Sequence, residues 1–185
     1  MSSILKVDQL KDSGGNAIIT SNGSGTFTSS LPNTGITMAD QFRLTASLTS
    51  DADPISSNLE RSDDASFAKI GTGMSVSSGI YTFPTTGLYL IINKMDGFSN
   101  SNDNVAMETH ATTNNSSYDK LDEIVVNGVQ NDNLQTASGF NLVNVTDTSN
   151  VKVKFVASSI SSGGIVGNTD SNRTSFTFIR LGDSQ

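Results

Sequence analysis

From residue 36 to the end of the chain, short runs of alternating apolar and polar side chains are separated by turn-forming residues about every 8–12 positions. A period of two belongs to an extended strand, whose successive side chains point to opposite faces; a helix needs a period near 3.6. In 42–48, Phe42, Leu44, Ala46 and Leu48 share one face, and Arg43, Thr45 and Ser47 share the other, which is expected to be wet. Further strands are expected over 67–70, 74–76, 79–83, 88–92, 105–110, 121–127, 140–145, 151–156 and 174–181, with polar loops over 96–104, 112–119 and 158–172. The runs 140–145 and 151–156 flank T-D-T-S-N and read as a hairpin. Composition agrees, because 83 of 185 residues are Ser, Thr, Asn or Gly, which favour turns, caps and strands over helix interiors. The expected fold class is all-β, an antiparallel sandwich.

One run breaks the alternation. Leu88-Tyr89-Leu90-Ile91-Ile92 is apolar throughout, so both faces of that strand should be buried, one inside the sandwich and the other beneath a subunit interface. The first 36 residues differ again. Strands of three to five residues at 3–9, 17–20 and 26–29 are punctuated by D-S-G-G-N and S-N-G-S-G turns. Such a ladder has no room for a private core. Residues 1–36 are therefore expected to form an extended arm that borrows burial from other chains through Ile4, Leu5, Val7, Leu10, Ile18 and Ile19, and 37–185 to form the compact domain.

Charge removes several functions. A net charge of −7, with 11 Lys+Arg spread singly, argues against nucleic acid and anionic membrane as partners, since both need clustered positive charge. No apolar run approaches the 18 or so residues of a helical membrane span, and Met1 leads into a polar stretch, so no membrane insertion and synthesis in the cytosol are expected. With no cysteine there are no disulfides, thiol nucleophiles or thiolate metal sites. At 35 % hydrophobic residues the chain can build a core.

Catalytic signals are sparse. His110 is the sole histidine, no G-x-S-x-G elbow accompanies it, and Gly71-Thr72-Gly73 lacks the rest of a phosphate-binding loop and reads as a turn. Asp51, Asp53, Asp63, Asp64, Asp96 and Asp103 could in principle attract calcium, but none sits in a complete calcium-loop pattern, and solvated loop acids are expected. Sequons at Asn114, Asn115, Asn144 and Asn172 have meaning only in a secreted chain. No catalytic residue, metal or cofactor is expected.

The run Gly79-Ile-Tyr-Thr-Phe-Pro-Thr-Thr-Gly-Leu-Tyr-Leu-Ile91 resembles the central signature of the globular heads of complement component one-q and their tumour-necrosis-factor-like relatives, G-x-[YF]-T-F-P-x-x-G-x-Y-x-F. Arg173-Thr-Ser-Phe-Thr-Phe-Ile-Arg-Leu-Gly-Asp183 is similar to their last strand, and 142–155 to the hairpin before it. Ile91 stands where an aromatic is usual. The resemblance spans about 38–183 and implies a ten-stranded jelly roll that assembles as a homotrimer. It implies that Tyr81, Phe83, Tyr89, Phe176 and Phe178, with Leu88 and Leu90, lie in the core and along the subunit seam.

The opening I-L-K-V-D-Q-L-K-D-S-G-G-N-A-I-I-T also resembles the start of virion structural proteins of marine tailed bacteriophages. Together the two resemblances imply a non-enzymatic virion protein, a tail-fibre or spike tip or a capsid decoration or cement protein. It would be made in the bacterial cytoplasm and displayed on the virion surface, with other virion proteins and a host surface glycan or protein as partners. The competing expectation is a glycan-binding or cell-surface adhesion module, for which the chain brings no Trp and three Tyr.

Overall fold

A computed structural model describes residues 7–29, 35–99, 103–127 and 133–185, and the chain divides into two compact units, 1–35 and 36–185. In the first, β1 (Gln9–Lys11), β2 (Ala17–Ser21) and β3 (Phe27–Ser29) form an antiparallel meander. Its turns close on side-chain acceptors. The Asp12 carboxylate accepts from the Gly14 and Asn16 amides at 2.8 and 2.9 Å, and Asn22 Oδ1 accepts from Ser24 and Thr26. Register puts Leu10 beside Ile19 and Ser21 beside Phe27 on one face, yet Val7, Leu10 and Phe27 remain more than half exposed and Ile18 and Ile19 half-buried. Ile4 and Leu5 lie outside the described residues.

The second unit begins with β4 (Ala39–Leu44), β5 (Leu59–Arg61), β6 (Ser75–Ser77), β7 (Ile80–Thr82) and β8 (Gly87–Phe98). It continues through β9 (Asn104–Thr112), β10 (Asp119–Asn127), β11 (Leu134–Val145), β12 (Lys152–Ser158), β13 (Gly164–Ile165) and β14 (Ser175–Gly182). One sheet has the order β11-β8-β14-β4-β5, with β13 added against β8; the facing sheet has the order β10-β9-β12-β7-β6. The order is a jelly roll: antiparallel pairs such as β4–β5, β6–β7 and β9–β10 alternate with connections that cross from one sheet to the other, as at β7–β8, β8–β9 and β10–β11.

That crossing corrects two expectations. Strands β11 and β12 are not a hairpin: β11 pairs with β8, and β12 with β9 and β7 in the opposite layer. Val143 and Val145 thereby enter the core from one side and Val151 and Val153 from the other. The connection turns on Asp147, whose carbonyl accepts from the Val151 amide at 2.8 Å and whose carboxylate accepts from Ser149 and Asn150. Nor does a loop begin at Asp96. Strand β8 runs on to Phe98, paired to Leu134 of β11, and the buried Asp96 carboxylate is satisfied by the Thr136 hydroxyl at 2.6 Å.

Between the sheets, Phe155 stacks on Phe176 with ring centroids 4.0 Å apart. Tyr81 packs edge-on against Phe42 and Phe155 at 5.3 and 5.5 Å. Burial first, and then the charge of Asp40, pushes the Tyr81 phenol far above its ordinary value, so it stays neutral in the core. Two glycines of the G-x-Y-T-F-P-x-x-G run have steric roles. Gly79 has φ +79°, and a Cβ there would come within 2.4 Å of the Ile55 carbonyl; at Gly87 it would meet Arg180 Nε at 2.5 Å. Both hold β7 and β8 close to neighbouring backbone.

Gly79→Ala is therefore expected to destabilise the domain by about 2 kcal/mol or more, through left-handed backbone strain plus the clash. Urea unfolding of the two proteins side by side measures it.

Candidate functional site

Strand parity decides what β8 shows to the outside. Tyr89, Ile91, Asn93 and Met95 point into the sandwich; Leu88, Leu90, Ile92 and Lys94 point out and stay half-buried. In register with them run two rows across four strands, Leu142–Leu90–Ile179–Ala39 and Phe140–Ile92–Thr177–Gln41, about 14 Å wide at ordinary strand spacing. Phe140 is 67 % exposed and Leu142 63 %. The next row is polar: Ser138, Lys94, Ser175, Arg43 and Glu60.

Arg43 overturns the expectation of a wet face. It lies on the outward side of β4 yet is 1 % exposed, because the 60–64 segment folds over it. Its guanidinium donates to Glu60 at 2.6 Å, to Asp64 at 2.7 Å and to Asp63. A cation with five N–H donors can be covered only where acceptors meet it. Behind it, buried Asp40 accepts from Arg61 at 2.9 Å and from the Met74 amide at 2.8 Å.

The apolar surface continues around one edge. Among the described residues of 36–185 eight large apolar side chains are exposed, and five of them, Leu121, Val125, Leu134, Phe140 and Leu142, sit on β10 and β11. These two strands end their respective sheets and lie against each other. Away from that edge, on the same outward face, is a concavity of about 190 Å³ lined by Ala39, Gln41, Phe67, Ala68, Thr177 and Ile179 with Asp40 at its side. The domain thus carries a protruding apolar edge and an apolar hollow at separate places on one sheet.

The chemistry-bearing residues are engaged elsewhere. Ser158 Oγ donates to Glu108 Oε1 at 2.9 Å, and His110 Nε2 lies 2.6 Å from Glu108 Oε2. The carboxylate stands between serine and histidine, so the imidazole cannot take the serine proton as a nucleophilic triad requires. Hydrogen bonds from His110 and Ser158, with Lys120 nearby, outweigh burial and hold the Glu108 carboxyl below its usual range. Each acid named as a possible calcium ligand meets protein donors: Asp51 the Ile160 amide, Asp53 Lys154, Asp63 and Asp64 Arg43, and Asp96 Thr136. Asp103 accepts from the Ser161 amide and hydroxyl and the Ser162 amide, and these hold its carboxyl below the ordinary value. Gly71 and Gly73 form a turn at φ +68° and +77°.

Of the residues the sequence singled out, Tyr81, Phe83, Tyr89, Phe176 and Phe178 are each at most 1 % exposed and belong to the interior of the single chain. Leu88 and Leu90 alone of that set face outward. Phe140, Leu142 and Ile179 complete the surface and escape sequence reading. The run F-N-L-V-N-V at 140–145 carries apolar residues in both parities, so periodicity cannot say which face turns outward.

No family profile matches the chain, and no curated protein matches it. Among solved structures it is similar to Eiger TNF from S. frugiperda, with TM-score 0.62 and 13 % identity over 82 % of this chain and 96 % of that one. It is also similar to murine APRIL at pH 8.5, with TM-score 0.57 and 8 % identity over 78 % and 98 %. The fold is therefore a TNF-like jelly roll.

The placement of these side chains predicts a contrast. Tyr89→Asp puts an unpaired charge into the core and is expected to abolish folding, whereas Leu142→Asp on the outward face is expected to leave a folded β domain. Circular dichroism and cooperative melting distinguish the two.

Proposed function

We propose that this chain is a non-enzymatic virion structural protein of a tailed phage: a homotrimeric jelly-roll head held to the particle by its amino-terminal arm. The observation that carries the reading is the outward apolar face of β8, continuous with the β10–β11 edge. Burying Phe140 and Leu142 contributes at most roughly 1.5–3 kcal/mol each against an association cost of about 4–15 kcal/mol, so the assembly needs the whole of the two rows and the β10–β11 edge. The edge of one copy set into the hollow of the next is a head-to-tail contact, which makes a ring where the rotation between copies closes and a filament where it does not. The resemblance to complement- and tumour-necrosis-factor-type heads implies that the ring has three members.

The arm supports attachment. The unit with three strands of three to five residues exposes Val7, Leu10 and Phe27, apolar surface for a partner chain to cover. On a virion that chain is a capsid or tail protein, and the loops near 112–119 and on either side of β13, which interrupts the loop expected over 158–172, face the host or the shell. The resemblance of the opening residues to marine phage structural proteins supports synthesis in the bacterial cytoplasm and display on the virion surface.

Sedimentation of the full chain at micromolar concentration is expected to give about 58 kDa, three copies of 19.4 kDa. Ala68→Trp, which fills the hollow, and Phe140→Asp, which charges the edge, are each expected to give folded monomer. A stable wild-type monomer overturns the assembly. Deletion of 1–30 is expected to leave a folded head that no longer joins particles, read by immunogold labelling. Normal incorporation of that deletion overturns the anchoring role, and binding of the head to a glycan array without particle association favours an adhesion module.

A further inference from the structure

Apart from the Tyr81 hydroxyl, the buried side-chain polar atoms left without a partner among the described residues lie in one place, where the core-facing sides of β8, β9, β10 and β11 converge. Asn93 and Thr109 are fully buried, and neither the Asn93 amide nor the Thr109 hydroxyl has a hydrogen-bond partner among the described residues. They belong to opposite layers of the sandwich. Asn93 is the ladder neighbour of Phe176 and Thr109 that of Phe155, and those rings are the stacked pair. Asp122 is the ladder neighbour of Thr109, and its carboxylate crosses to the other sheet over Gly139. Asp122 Oδ2 lies 1.8 Å, and Asn93 Oδ1 2.8 Å, from the point a Cβ on Gly139 would occupy. Asn141 Nδ2, from the next inward position of β11, reaches the same carboxylate at 3.4 Å.

With the Asn93 amide in this orientation, its oxygen and a carboxylate oxygen of Asp122 share one neighbourhood beside Gly139. Such a pair repels unless a group with two donors bridges it. We propose that Asn93, Thr109 and Asp122 form a built site for an ordered internal water, which donates to Asn93 Oδ1 and Asp122 Oδ2 and accepts from the Thr109 hydroxyl. The water joins the two sheets at the open β10–β11 edge, where no ladder hydrogen bond can. It also sets the position of β11, whose alternate side chains Phe140 and Leu142 point outward. The site stands on its own, independent of the assembly proposed above.

A high-resolution crystal structure of the full chain is expected to show a solvent peak about 2.7–3.2 Å from Asn93 Oδ1, Asp122 Oδ2 and Thr109 Oγ1. An Asn93 amide turned so that Nδ2 donates directly to Asp122, with no peak, overturns the proposal. So does a peak ringed by oxygens at about 2.3–2.6 Å, which is a cation. In solution, oxygen-17 relaxation dispersion is expected to count one long-lived water fewer in Asn93→Leu than in the wild type. Thr109→Val, nearly isosteric, gives the same reading where Asn93→Leu does not fold, and an unchanged count in the folded variant overturns the site.

Discussion

Strand β8 is apolar on both faces from Leu88 to Ile92, and a two-layer sandwich covers only one of them. Everything else follows from that excess. The inward side takes Tyr89 and Ile91 into the aromatic core, where they are fully buried. The outward side joins Leu142, Ile179 and Phe140 in registered rows that the single chain leaves open to solvent. Removing such a patch from water is the main favourable term in association, and a second copy of the same chain, with a hollow on the same sheet, is a partner that is always present.

The polar half of that face is built so that it does not compete. Arg43, Lys94, Glu60 and Asp96 all lie on or beside the β8–β14–β4 rows, yet their charges are paired within the chain. Arg43 in particular is covered by the 60–64 segment, so the apolar rows end at a cation enclosed by three acids instead of an open one. Ion pairs closed within one subunit lend little to association, and their contribution is orientation: they fix the segment that walls the hollow at Phe67 and Ala68. The same economy holds on the opposite sheet, where Glu108 binds both Ser158 and His110 and leaves neither available for catalysis.

Much of this was legible beforehand. Period-two runs located β4, β7, β10, β12 and β14 within a few residues, and the G-x-Y-T-F-P-x-x-G run pointed to a jelly roll whose two glycines prove to be close backbone approaches. The unbroken L-Y-L-I-I run announced a strand with two apolar faces. Less was legible where pairing partners decide the outcome. The T-D-T-S-N segment looks like a hairpin turn, because Asp and Asn close a turn the same way whether the flanking strands pair or separate into two layers. Arg43 looks like a solvated side chain because the three acids that bury it come from a segment some 20 residues away.

The sequence by itself determined the class of the fold, the division near residue 36, and the presence of more apolar strand surface than one core can hold. These rest on local facts: side-chain period, turn chemistry and the shortness of the arm strands. Only the tertiary structure decided which aromatics are interior, which aliphatics are outward, and that Asn93 and Thr109 are buried without a partner among the described residues. Register is the reason. A strand's two faces are interchangeable by a shift of one residue, and it is pairing with distant strands that selects between them.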